Sequence, residues 1–141
     1  MPVVIARLVA SALGALALMH CYWAFGGRFG KSAAIPEVNG QRAFTPSTAG
    51  TLAVAAALLF AGAVVAIAGG LVEVGALRGV FRVLAFGLAA TFIARAVGDF
   101  RLVGFFKRTR GTRFARLDTA VFAPLCLTLG LAVLYVACHD V

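Results

Sequence analysis

The chain has 141 residues, of which 62% are hydrophobic and 13% charged, with a net charge of +8. Its mean hydropathy is +1.01, and a fold this small keeps too high a surface-to-volume ratio to hide that much apolar surface from water. This excludes a soluble enzyme, a disordered tail and a nucleic-acid-binding domain, and leaves a small integral membrane protein, one transmembrane domain over residues 1–141.

A membrane-spanning helix needs about 20 mostly apolar residues. Four runs meet that length. The first covers residues 3–25 and is interrupted only by Arg7 and His20. Ala15-Leu16-Ala17 has the small-residue pattern of a signal cleavage site. The only base ahead of it is Arg7, however, and Arg28 and Lys31 follow the apolar run. That charge order reads as a retained span. The second run, residues 49–72, is mostly Ala, Val, Leu and Gly. The third, residues 80–103, holds Arg82, Arg95, Asp99 and Arg101. The fourth, residues 119–139, carries no charged residue before Asp140. Only helices or closed barrels cross lipid, and strand-like alternation is absent. The expected fold is an all-α integral membrane four-helix bundle with antiparallel, up-down spans.

The links between spans are legible. Residues 26–47 form a long loop with Pro36, Asn39-Gly40 and Pro46, and Ser47 or Thr48 suits the N-cap of the second helix. Residues 73–79 are short enough to join two antiparallel helices. Residues 104–118 form a basic link with Lys107, Arg108, Arg110, Arg113 and Arg116. Bases are retained on the cytoplasmic side. The first and third links share a side and, with Arg101, hold nine of them: Arg28, Lys31, Arg42, Arg101, Lys107, Arg108, Arg110, Arg113 and Arg116. The opposite side has Arg7, Arg78 and Arg82. The expected location is the cytoplasmic membrane, with basic loops inside and both termini outside.

This direction brings five polar or aromatic residues to one depth near the inner interface. They are His20, Trp23, Arg95, Asp99 and Asp118. Ionisable groups in lipid are costly and face a bundle interior or a wet cavity. Arg95 and Asp99 are four residues apart, so the helical spacing predicts an ion pair. Asp118 fits the N-cap of the fourth helix, Trp23 an interfacial anchor, and His20 a proton-transfer group. Together they form a candidate polar cluster for a small ligand. Pro124 predicts a kink or a late start of the fourth helix.

Other motifs carry less. Gly26-Gly27-Arg28-Phe29-Gly30-Lys31-Ser32 is one residue short of a phosphate-binding loop and follows no strand. Cys138-His139-Asp140 is too compact to converge on a metal. Cys21, Cys126 and Cys138 form no paired motif. No cofactor or metal site is indicated. Gly62, Ala66 and Gly70 place small side chains four apart, a pattern for close helix packing.

Several blocks point to a family. They are His20-Cys21-Tyr22-Trp23-Ala24-Phe25-Gly26-Gly27, Ile35-Pro36, Arg95-Ala96-Val97-Gly98-Asp99-Phe100-Arg101, Val103-Gly104-Phe105-Phe106-Lys107, Phe114-Ala115-Arg116-Leu117-Asp118-Thr119 and Pro124-Leu125-Cys126. With these the chain resembles, over nearly its whole length, a bacterial family of small four-helix membrane proteins, domain-of-unknown-function family 3995. The resemblance implies the fold and the membrane location. It implies no activity and transfers no catalytic residue.

Three functions remain open on the sequence. The first is a membrane protein with a cytoplasm-facing polar cavity for a small amphiphile or lipid. The second is a structural or regulatory subunit without chemistry of its own. The third is a small proton-coupled exporter, which is disfavoured because Asp99, the one acid well inside a span, has an arginine beside it. The partners expected are membrane lipids, a small amphiphilic ligand and a further copy of the chain, and not nucleic acid.

Overall fold

The computed structural model describes residues 1–139; Asp140 and Val141, which include the last residue of the Cys138-His139-Asp140 motif and the expected outer C-terminus, lie outside it. Among the described residues, four helical segments are long and apolar enough to cross a membrane. They are α1 (Pro2–Ala24), α2 (Thr48–Ala68), α3 (Arg78–Val97, entered through a short 3-10 turn at Gly75–Leu77), and a composite fourth span. That last span consists of α4 (Arg113–Leu117), a π-type turn (Asp118–Phe122) and α5 (Ala123–Cys138).

Helix starts follow local chemistry. Pro2 lies in the first turn of α1, where its missing N–H costs nothing. Ser47 caps α2 by accepting from the Gly50 amide at 3.0 Å. Thr112 caps α4 in the same way, accepting from the Ala115 amide at 3.0 Å.

The ends of α1 and α2 share one device. Beyond α1, the Gly26 amide donates to the Trp23 carbonyl and the Gly27 amide to that of Tyr22. Beyond α2, the Gly70 amide donates to Ile67 and the Leu71 amide to Ala66. Gly26 and Gly70 both have positive φ, 97° and 75°. Each end is therefore a Schellman cap, which satisfies otherwise orphaned carbonyls. This is why α2 ends at Ala68 and not at Val72, although the apolar run continues.

The third span departs further from expectation. The apolar run reaches Val103, but the helix stops at Val97. Chain folding back supplies the cap, since the Phe105 amide donates to the Ala96 carbonyl and the Phe106 amide to that of Val97. Residues 98–103 thus form a closed loop outside the helix.

The helices pack in chain order around a ring. α1 lies mainly against α2 and α3 against α5, while α2–α3 and α1–α5 contacts close the ring. Leu13, Val65, Val133 and Val136 are fully buried at its centre. Much of the remaining core is alanine, including Ala6, Ala61, Ala68, Ala85 and Ala89. Small side chains let helix backbones approach when lipid offers no hydrophobic drive to pack. Gly62 lies against the Ala10 backbone and so serves α1–α2 packing within the chain. Gly70 lies past the helix end and belongs to the cap instead. Leu8, Leu18, Phe60, Val83 and Leu131 point outward and are exposed, as a lipid-facing surface requires.

The link between α1 and α2 is folded. A 3-10 turn at Lys31–Ala34 precedes a two-stranded hairpin, β1 (Glu37–Val38) with β2 (Gln41–Arg42). Its turn is Asn39-Gly40, with φ of 52° and 77°, the tight hairpin geometry that this dipeptide favours. The 3-10 turn and β1 both touch α4, so the first and third links pack together at one end of the bundle.

Candidate functional site

The five residues singled out from the sequence do gather at that end, but they separate into three arrangements.

The first is a buried ion lock centred on Asp118, whose side chain has no solvent exposure. Asp118 Oδ1 accepts from Arg95 Nη2 at 2.8 Å. Its Oδ2 accepts from Lys107 Nζ at 3.0 Å and from the Gly104 amide at 2.7 Å. Lys107 is itself buried. Its ammonium also donates to the Gly104 carbonyl at 2.8 Å and to Thr119 Oγ1 at 2.6 Å. All three ammonium protons have acceptors, so the lock ties α3, the returning loop and the fourth span together. Arg95 keeps about a third of its side chain exposed, at 34%, and its buried Nη1 has no hydrogen-bond partner.

This corrects two expectations. Arg95 pairs with Asp118 and not with Asp99, because the helix ends at Val97 and the (i, i+4) spacing never forms. Asp118 is not the N-cap of the fourth helix either. Thr112 takes that role six residues earlier, which leaves Asp118 inside the span.

Asp99 makes the second arrangement. It is exposed and belongs to the closed loop. Its Oδ1 accepts from the amides of Arg101, Leu102 and Val103 at 2.9, 2.7 and 3.0 Å. The Val103 amide, helped by the other two, holds the carboxyl below the usual aspartate range. The stability this gives is complete above the ordinary aspartate value and is lost as pH falls through the lowered one.

His20 and Trp23 line the third, a cleft of about 470 Å³ between the end of α1, the first link and the start of α2. Ile35, Phe44, Pro46 and Val54 give it apolar walls, and Lys31, Ser47 and Thr51 add polar atoms. Trp23 Nε1 donates to the Phe29 carbonyl at 2.7 Å, which pins the start of the link. His20 packs edge-on to Trp23, with ring centroids 5.0 Å apart. His20 Nδ1 lies 2.7 Å from the Leu16 carbonyl. A carbonyl only accepts, so Nδ1 carries the proton and Nε2 takes no part in that bond. Arg95, Asp99 and Asp118 are not part of this cleft.

Sequence reasoning missed Lys107, which is embedded in a basic run and reads there as one more solvated charge. Its only signal is its place directly after Phe105-Phe106. Lys31 reads in the sequence as a loop charge and as part of the incomplete phosphate-loop motif, not as a cleft residue.

A family model described as "Protein of unknown function (DUF3995)" matches residues 13–133, and the chain belongs to that family. No curated protein and no solved structure matches it.

Proposed function

We propose that this DUF3995 membrane protein binds a small amphiphile in the cleft between α1 and α2. The supporting observation is the cleft itself. Small-molecule sites typically occupy about 300–1,000 Å³, with apolar walls and a few convergent polar groups. At about 470 Å³, lined by His20, Trp23 and Thr51, the cleft has that size and character.

The other readings draw less support. An exporter needs a carboxylate free to exchange protons. Among the described residues, Asp118 is locked by two cations, Asp99 is tied to backbone amides, and Glu73 pairs with Arg78 at 2.8 Å at the far end. Glu37 lies in the hairpin, outside the spans. A purely structural subunit gives no reason for the cleft or for the spare imidazole nitrogen.

Two variants test the reading. Val54→Trp fills the cleft from α2, and His20→Ala removes the imidazole. Both should lower the lipid-like material that copurifies, measured by mass spectrometry, with the thermal melt in detergent preserved. Unchanged lipid content in both variants, with lowered melting temperatures, would mean that these side chains serve packing alone.

The same reading puts the protein in the cytoplasmic membrane with its basic links inside and its termini outside. Reporter fusions between Arg108 and Arg113 should read cytoplasmic, and fusions after Val141 extracytoplasmic. The reverse pattern would overturn the orientation.

A further inference from the structure

We propose that the amphiphile carries an anionic head, a carboxylate or phosphate, which meets Lys31 and His20 while its tail follows Ile35, Phe44 and Val54. This rests on the ligand-binding reading of the cleft and names the chemistry of its occupant.

The first support is an uncompensated cation. Lys31 is half-buried at the cleft wall. Its ammonium makes one long hydrogen bond, 3.3 Å to the Trp23 carbonyl. Two further protons have no acceptor, and no carboxylate pairs with it among the described residues. Lys107, at the other site, is the instructive contrast, since all its donors are used. A partly desolvated ammonium against apolar walls calls for an anion.

The second support is that the other charge at the cleft has the same sign and that Ser47 keeps a proton to donate. The start of α2 lines the cleft through Ser47, Gly50 and Thr51. A helix N-terminus carries partial positive charge. Ser47 Oγ is occupied as an acceptor by the Gly50 amide, but its own proton remains available. His20 also lines the cleft, with its Nδ1 committed to the Leu16 carbonyl. Among the described residues, no acidic side chain lines the cleft. A neutral head would leave Lys31 as it is, whereas an anionic one satisfies it.

The third support is the arrangement of wall types. Lys31, Ser47 and Thr51 stand in the link and at the first turn of α2. Val54, nearly two turns further along α2, continues the cleft as an apolar surface. A head at the membrane edge with its tail directed into the lipid region follows from that polarity.

The chain has a single tryptophan, and it lines the cleft, so its fluorescence reports occupancy directly. The full chain in phosphatidylcholine nanodiscs is titrated with palmitate, at a pH that keeps the carboxyl ionised, and with hexadecanol. Palmitate should give a saturable change, and hexadecanol about ten- to a hundredfold weaker binding, as expected for losing a charge-assisted contact. Lys31→Met should erase that preference, and Lys31→Arg should restore most of it. Nanodiscs containing phosphatidylglycerol separate the sources. If they pre-empt the palmitate response, the occupant is the headgroup of an anionic membrane lipid; if they leave it intact, it is a free single-chain acid. Either result supports an anionic head. Equal binding of palmitate and hexadecanol overturns this inference while keeping the amphiphile site. No fluorescence response to either compound, with unchanged copurifying lipid in Val54→Trp, overturns the site as well.

Discussion

Asp118→Ala should destabilise the protein by about 3–5 kcal/mol, because it strands the buried Lys107 ammonium and weakens the hold on Arg95. The carboxylate takes three hydrogen bonds from three different chain segments: α3, the returning loop and, through Lys107, the strand of chain that leads to α4. Its loss should therefore loosen this whole end of the bundle. Unfolding in detergent, followed by circular dichroism, measures the cost. Asp118→Leu combined with Lys107→Met should recover much of it, since an apolar pair of similar volume avoids the desolvation that the ions suffer. Asp99→Asn is the matched control. It neutralises an exposed carboxylate but keeps an acceptor for the loop amides, so it should cost about 1 kcal/mol or less at neutral pH. If Asp118→Ala were as mild as Asp99→Asn, the lock would be solvated and its burial would be wrong.

Gly98→Ala should be at least as damaging, at about 3–5 kcal/mol, by a route that involves no charge. Gly98 has φ 97° and ψ −176°, a region that only glycine occupies without strain. A Cβ there would also overlap the Val103 carbonyl and the Gly104 Cα, because the chain crosses itself at this point. Neither neighbour can retreat, as both are backbone and the Gly104 amide is held by Asp118. Gly111→Ala isolates the conformational part. Gly111 also has positive φ, 91°, but open space lies where its Cβ would go. That variant should cost only about 1–2 kcal/mol. Parallel thermal melts of the two variants compare them, and equal losses would show that the crossing is not tight.

These two sites mark where the sequence stops being legible. Span existence is plain, because about 20 apolar residues in a row have one use at this hydropathy. Span ends are less plain. Leu71, Val72, Leu102 and Val103 are as apolar as the helices they follow, and what ends α2 and α3 is the conformation of Gly70 and Gly98, not polarity. The Arg95–Asp99 spacing predicts a pair only if residue 99 is helical, and the helix ends at Val97. Convergence of Asp118 with Lys107 depends on the loop folding back, and no periodicity in a one-dimensional pattern encodes that. His20 and Trp23 were easier to find. They are polar or amphipathic residues at the end of an apolar run, and the bundle end is where a cleft forms. Their separation from the charged residues was hidden, since shared depth in a membrane does not imply shared location around the ring.

The π-type turn at Asp118–Phe122 links this geometry to Pro124. Across it the Ala123 amide donates to the Asp118 carbonyl, five residues back. Proline in an ordinary helix clashes with the carbonyl four residues earlier and leaves it unbonded; a wide turn just before it relaxes that constraint. The buried positions of the fourth span register the change, since they run Phe114 or Ala115, Asp118, Ala123 and then Leu129 or Gly130. In an unbroken helix of about 3.6 residues per turn, a five-residue step would swing Asp118 well away from the face of Ala123. The turn absorbs the extra residue, so both keep facing inward. Chain length between Asp118 and Ala123 and the proline at 124 are therefore mutually compensating. Removing one residue from that stretch alone would restore an ordinary helical step but set the proline ring against a carbonyl with no room for it. Replacing the proline alone would leave a surplus residue with nothing to relieve. A homologous chain that lacks the proline would be expected to be one residue shorter here, with its aspartate still turned to the core.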